Sequence, residues 1–181
     1  CFGPATRLAE YFAPLPKTYR AVMRLGEATD TDDHTGEVVS RSDAWRTLPE
    51  ERIRAALGAQ TGEIDQLPPL YSAKKVGGER MYAAARRGEE VERKPVRVTI
   101  HRVDVLEVRL PEVEFDVECG SGTYIRAIAR DAGEALGVGG HLTALRRTRV
   151  GPHPVERAVP LEALDDAARV AEAVLSPAEA V

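Results

Sequence analysis

The residues of this chain best suited to chemistry are a phenol and a guanidinium two positions apart, where a strand gives way to a helix. They lie in Gly120-Ser-Gly-Thr-Tyr-Ile-Arg-Ala-Ile-Ala-Arg-Asp, with Tyr124 and Arg126 just after a glycine turn. Before it, Val113, Phe115, Val117 and Cys119 alternate with Glu114, Asp116 and Glu118, the pattern of a half-buried strand. The pattern predicts a helix over residues 123–136, capped by Gly137, with Tyr124 and Arg126 in its first turn at the open end of a sheet. The guanidinium can hold a carboxylate in place while the phenol addresses a substrate proton. A tyrosine packed beneath the helix beside a surface arginine would give the same pair, so the surrounding run carries the reading.

Other candidates gather around this pair. A second glycine turn leads to Leu145-Arg146-Arg147-Thr148-Arg149. Strand-like alternation there puts Arg147 and Arg149 on one face and Arg146 on the other, and an exposed face of this kind can contact phosphates. Tyr19, early in a strand, can stack on a flipped base, worth roughly 1–3 kcal/mol per base; a core aromatic is the plainer alternative. The run Leu67-Pro-Pro-Leu-Tyr-Ser-Ala-Lys-Lys-Val-Gly-Gly-Glu-Arg joins prolines to Lys74, Lys75 and Arg80, and reads as a loop that clamps a phosphate backbone or as a solvated charge run. Asp30, Asp32 and Asp33 with His34 match no complete calcium loop and read as turn and capping residues. His141, after two glycines at a helix or turn start, reads as structural.

The elements needed to position these groups are legible in outline. Residues 5–12 form a short helix and residues 18–25 a strand, with a further strand around 37–40 and a helix over 49–57. A brief strand follows at 58–65, a protruding loop at 66–78, and a helix at 79–87 ended by Gly88. Residues 96–109 are a long β-branched strand, and 160–175 a last amphipathic helix. The reading is α+β, with a mixed, largely antiparallel sheet flanked by helices.

Composition narrows the class. The 181 residues, 43% apolar and 30% charged, suit a soluble globular protein with a full core. No apolar run approaches the roughly 20 residues of a membrane span. Two cysteines and four histidines give neither a disulfide framework nor zinc spacing, and the cytoplasm is the default compartment. The net charge of −4 conceals an uneven distribution, since residues 70–102 carry 9 cationic and 4 anionic side chains. Concentrated basic charge on an otherwise acidic chain is what a nucleic-acid-binding face requires.

Taken together, Lys17-Thr-Tyr-Arg, Leu25-Gly-Glu-Ala-Thr-Asp-Thr-Asp-Asp-His-Thr-Gly, Gln66-Leu-Pro-Pro-Leu-Tyr-Ser-Ala-Lys-Lys, Gly122-Thr-Tyr-Ile-Arg and Leu145-Arg-Arg resemble, in order, the motifs of the TruB family. These are the bacterial synthases that make pseudouridine in the T loop of tRNA, at position 55. The resemblance implies a pseudouridine synthase-like catalytic body over residues 1–155, with an RNA-gripping insertion at about 66–95. Residues 156–181 would be a C-terminal helix leading toward a small RNA-binding domain. It further implies that a catalytic aspartate attacks a flipped uridine, the glycosidic bond breaks, and the base rejoins through C5 without cofactor or metal. Tyr124 would act at the C5 proton, Arg126 would pair with the aspartate, Tyr19 would stack on the uracil, and Leu145 would line its pocket. Lys74, Lys75, Arg80, Arg146, Arg147 and Arg149 would hold the RNA. The family's Gly-Thr-Leu-Asp-Pro-type motif, which carries the aspartate, is not among these residues. Two expectations follow: an enzyme whose nucleophile lies in a segment outside this sequence, or a catalytically silent RNA-binding or tRNA-folding module. A guide-dependent relative acting with partner proteins is a third alternative, against which the short loops and the lack of a basic tail favour the stand-alone bacterial form. A monomer acting on the T arm without an obligatory protein partner is expected.

Overall fold

The computed structural model describes residues 3–71, 75–76, 79–80, 93–176 and 179. A 3-10 segment (Gly3–Leu8) and one turn of helix, α1 (Ala9–Phe12), lead into β1 (Lys17–Leu25). A short pair, β2 (Glu27–Thr29) and β3 (Val38–Arg41), precedes α2 (Glu50–Gly58) and β4 (Gly62–Gln66). β5 (Lys75–Val76) pairs with β6 (Glu79–Arg80). Then come β7 (Val96–Arg109), β8 (Glu112–Cys119), α3 (Ile125–Ala135), β9 (Gly140–Val150), β10 (His153–Pro154) and α4 (Ala167–Ala173). The main sheet has the order β10-β9-β1-β8-β7-β4, every neighbouring pair antiparallel.

The period-2 pattern of β1 and β8 is what builds the core. Ala21, Met23 and Leu25 face the same side as Val113, Phe115, Val117 and Cys119, all nearly solvent-free. On that side α3 lays down Ile125, Ile128, Ala129 and Ala132, while α2 contributes Ile53 and Leu57. These spacings of three and four residues keep each apolar stripe on one helix face. Burying side chains as large as Phe115 and Ile128 contributes about 1.5–3 kcal/mol each. The opposite face of the sheet is charged, with Arg20 donating from Nε and Nη2 to the Asp116 carboxylate at 3.0 Å. The architecture is therefore layered, with α2 and α3 packed on the same face of the sheet.

The expected α+β class and flanking helices are present, and the six-stranded sheet is antiparallel throughout, not mixed. Several boundaries differ from expectation for local reasons. Gly26, at φ 91, turns the chain out of β1, so residues 27–29 pair with β3 as a strand that periodicity did not reveal. The turn after α2 delays β4 to Gly62, itself at φ 110. Glu79 and Arg80 lie in a strand pair, not at the start of a helix; the rest of the helix expected at 79–87 lies outside the described residues. The last helix is not continuous over 160–175. Asp166 Oδ1 accepts from the backbone N–H groups of Ala168 and Arg169, so a new helix starts there after a separate 3-10 turn.

One close approach fixes how α3 meets β9. A Cβ added at Gly133 would lie 2.4 Å from the Gly139 carbonyl carbon and the Gly140 nitrogen. Only a bare α-carbon lets the helix backbone rest on the start of this strand.

Candidate active site

The end of β8 and the start of α3 set the position of Tyr124. Gly122 at φ 86 makes the turn, and Tyr124 occupies the N-cap position with extended backbone, φ −102 and ψ 111. The expected first-turn placement therefore shifts by one step: Arg126 is in the first turn and Tyr124 stands just outside it. The Tyr124 backbone is gripped from a second direction. Its N–H donates to Gln66 Oε1 at 2.8 Å, and its carbonyl accepts from Gln66 Nε2 at 3.1 Å. Gln66 is 1% exposed, so both bonds form away from competing water.

Arg126 reaches from α3 to two loops. Its Nη1 donates to Asp33 Oδ2 at 3.0 Å and to the Thr31 carbonyl at 3.1 Å; its Nη2 donates to the Tyr71 carbonyl at 2.9 Å. One turn further along, Arg130 repeats the arrangement. It donates through Nη1 to Asp32 Oδ2 at 3.0 Å, through Nη2 to the Leu67 carbonyl at 2.8 Å and through Nε to Asp131 at 2.8 Å. Helical spacing of four residues places both guanidinia on one face. Together they fasten the 30–33 loop and the 67–71 segment to the same helix.

The two aspartates experience this site differently. Burial pushes the Asp32 carboxyl above its ordinary range, more than the neighbouring Arg130 draws it back. Burial is also the largest single influence on Asp33, in the same direction. Hydrogen bonds from the Thr35 hydroxyl and N–H and the Thr31 hydroxyl, with the charge of Arg126, together outweigh it and hold Asp33 below the usual carboxylate range. The expected turn role does hold for Asp30, whose Oδ1 accepts from the Glu37 N–H at 2.8 Å, and for Asp33. It misses the ion pairs. Asp32 also adopts φ 60, a left-handed conformation that aspartate tolerates better than most residues, and its carbonyl accepts from the Leu142 N–H at 3.0 Å.

Register places the remaining candidates. Tyr19 pairs with Val117 on β8 and with Arg147 on β9, and Ala21 pairs with Leu145, so Tyr19, Leu145 and Arg147 share the helix-covered side of the sheet. Tyr19 packs partly against the core, and Leu145 is about half exposed. Simple alternation fails for the arginines. Thr18 pairs with Arg149 but Tyr19 with Arg147, so Thr148 is an extra residue and the strand bulges. Arg149 thereby joins Arg146 and Arg20 on the back of the sheet, lining an open groove of about 500 Å³ with Thr18. Arg147 instead borders a groove of about 570 Å³ with Phe12, Lys17 and Val150, while a further cavity of about 610 Å³ is lined by both Arg147 and Arg149. Lys74 lies outside the described residues; Lys75 and Arg80 are backbone partners in the β5–β6 pair, and their side chains lie outside the description. His141 is in β9, not at a turn, and is buried with Nδ1 3.0 Å from the Glu27 carbonyl oxygen.

Sequence reasoning missed Gln66, Asp32, Asp33 and Arg130 as parts of this site. The four-residue spacing of Arg126 and Arg130 was a signal for a shared helix face. Nothing in linear order pairs them with residues over 90 positions away.

The antiparallel sheet, the tyrosine at the start of α3 and the carboxylate-held arginine beside it belong to a chain that is similar to known proteins. The profile of the TruB family pseudouridylate synthase N-terminal domain matches residues 1–125, and that of the tRNA pseudouridylate synthase B C-terminal domain matches residues 126–181. The chain belongs to the TruB family. It is 55% identical over 174 residues to tRNA pseudouridine synthase B of Arthrobacter sp. (strain FB24), covering 93% of this chain and 56% of the relative. It is 47% identical over 182 residues to the protein of the same name from Burkholderia mallei (strain NCTC 10247), covering 100% and 60%. The chain thus spans less than two thirds of the curated relatives it matches. Among solved structures it is similar to a chain of a Cbf5-Nop10-Gar1 complex, with TM-score 0.64, 32% identity and coverage of 90% of this chain and 39% of that one. A chain of an H/ACA RNP bound to a substrate RNA containing 2'-deoxyuridine gives TM-score 0.62 and 26% identity, covering 95% and 41%. No helix among the described residues is long and apolar enough to cross a membrane.

Proposed function

We propose that this chain is the catalytic body of a tRNA pseudouridine synthase that isomerises a uridine in the T loop, at position 55. The observation that carries the reading is the Arg126 guanidinium, held by Asp33 and two backbone carbonyls two residues from the clamped backbone of Tyr124. A uridine in a stacked loop hides both its glycosidic carbon and C5, so the base must be flipped out before either can react. Tyr19 stacks on the extruded uracil, and Leu145 lines the pocket beside it. A carboxylate attacks, the glycosidic bond breaks, the base turns and rejoins through C5, and Tyr124 acts on the C5 proton.

Arg126 orients the attacking carboxylate. We take Asp33 to hold Arg126 and not to attack, since its Oδ1 already accepts from Thr31 and from the N–H and hydroxyl of Thr35 within its own turn. Asp32 is committed to Arg130. We assign the attack to the aspartate of the family's Gly-Thr-Leu-Asp-Pro-type motif, which these 181 residues do not contain. Arg147, on the catalytic side, and Lys74, Lys75 and Arg80 in the insertion hold phosphates of the T arm. The protein works as a cytoplasmic monomer without an obligatory protein partner.

The test is tritium release from a T-arm hairpin labelled at C5 of uridine, using the protein extended to the length of its relatives. Release by the wild type and its loss in Tyr124→Phe and Arg126→Ala are expected. Hairpin binding with no release by the extended wild type would overturn the reading in favour of a silent RNA-binding module.

A further inference from the structure

We infer that Gln66 is a positioning residue for the reaction, acting through the backbone of Tyr124; the inference rests on the function proposed above. Gln66 is the last residue of β4, paired with Val96 at the start of β7, so the insertion between them leaves and re-enters the sheet at this pair. Its amide is aimed inward, not into the insertion. Oε1 accepts from the Tyr124 N–H at 2.8 Å and Nε2 donates to the Tyr124 carbonyl at 3.1 Å.

This reciprocal pair mimics a strand ladder around one residue. Residues at an N-cap have a free N–H and a non-helical backbone, and are ordinarily held by a side chain of their own turn. Here no side-chain cap from Tyr124 itself is formed, and the holding group comes from 58 residues away. Because both atoms of the amide bind the same residue, φ and ψ of Tyr124 cannot change without losing one bond. The direction in which its Cα–Cβ bond projects is therefore held by Gln66 together with the first turn of α3, whose Ala127 N–H also donates to the Tyr124 carbonyl at 3.1 Å. Glutamine suits this task where glutamate would not, since one end must accept and the other donate. The neighbouring contacts reinforce the link: Arg130 holds the Leu67 carbonyl and Arg126 the Tyr71 carbonyl, so the root of the insertion and the start of α3 are joined at three successive points. An angular error of the phenol costs rate and not RNA affinity, because positioning acts on the geometry of the reacting atoms.

The experiment compares Gln66→Met, similar in length but without polar atoms, with Gln66→Glu, each in the protein extended to its relatives' length. Single-turnover rates and T-arm hairpin affinity are measured well below each variant's melting temperature. Leu57→Ala, a core truncation in α2, serves as a destabilised control remote from Tyr124. Gln66→Met should lower the rate constant tenfold or more with hairpin affinity within about twofold of wild type, while Leu57→Ala keeps its rate. Gln66→Glu should recover activity relative to wild type as pH falls, because the protonated carboxyl regains the donor that Tyr124 requires. A wild-type rate in folded Gln66→Met, an equal loss in Leu57→Ala, or a Gln66→Glu profile parallel to wild type would each overturn the role. A wild type that binds the hairpin without tritium release would sink the proposed function itself, a result distinct from any of these.

Discussion

Arg126 and Asp33 lie 93 positions apart in the chain and meet at 3.0 Å, with the Thr31 and Tyr71 carbonyls completing the guanidinium's partners. The guanidinium is thus oriented by two segments, the 30–33 loop and Tyr71, far from each other in the chain.

That geometry predicts an asymmetric response to conservative change. Arg126→Lys keeps the charge but cannot reach Asp33 and both carbonyls from one planar fork. Its rate constant in the tritium assay should fall by about two orders of magnitude, on the scale of losing a single preorganised donor. Asp33→Asn should give a smaller loss, about tenfold, because the amide still accepts from Thr35.

The Asp32–Arg130 pair should behave as a buried ion pair. The two side chains are only 10% and 12% exposed. Arg130→Met leaves Asp32 without its cation and should cost roughly 3–5 kcal/mol in denaturant unfolding. Adding Asp32→Asn should restore part of this, since the uncompensated charge is then gone.

Acid titration should separate the two aspartates. The folded value of Asp33 lies below its ordinary 3.8, so its contribution is complete above the unfolded value and disappears as pH falls through the folded one. The folded value of Asp32 lies above 3.8, so ionised Asp32 opposes folding near neutrality, and that opposition fades as pH falls through its raised value. Melting temperatures from pH 7 to 3 should therefore decline less steeply in Asp33→Asn than in wild type, and more steeply in Asp32→Asn.

Gly133→Ala should reverse the ordinary helix preference. Alanine in a helix interior normally gains about 1 kcal/mol over glycine. Here the added methyl meets backbone at 2.4 Å, and overpacking of this kind costs roughly 1–3 kcal/mol or more. A lower melting temperature is expected; an increase would mean that α3 can lift from β9.

The bulge at Thr148 puts Arg147 and Arg149 on opposite faces of the strand, so RNA bound on the helix-covered face should tell them apart. Arg147→Ala should reduce the salt dependence of hairpin binding by about one phosphate contact, a change of roughly 0.7–0.9 in slope. Arg149→Ala and Arg146→Ala, on the back of the sheet, should leave that slope near the wild-type value. Equal effects from all three would place RNA on both faces.

The candidate chemistry was legible in the chain because its carriers are local. Tyr124 and Arg126 follow a glycine turn, and the alternation of residues 113–119 shows which side of that strand is buried, so strand, turn, helix and their two polar groups could be read in order. Period-2 alternation likewise revealed β1 and β8, since burial of one face leaves its mark on consecutive residues, while a β-branched run marked β7, a proline and two glutamates the start of α2, and Gly137 the end of α3. Tertiary structure decided the rest. A bulge is one unpaired residue in a register, and no pattern in Leu145-Arg-Arg-Thr-Arg marks Thr148 as that residue. The aspartates of the 30–33 loop looked like turn formers, and Asp30 and Asp33 do hold turns, but their Arg126 and Arg130 partnerships depend on where a helix from the far half of the chain packs. Gln66 opens one of the runs that resemble the family's motifs, but nothing local gives its partner, and a glutamine ending a strand is ordinary until the fold brings Tyr124 against it. Hydrophobic burial is periodic and therefore visible in a linear chain. Hydrogen bonds and ion pairs between distant segments are satisfied only once, at one place, and appear only when the chain has closed on itself.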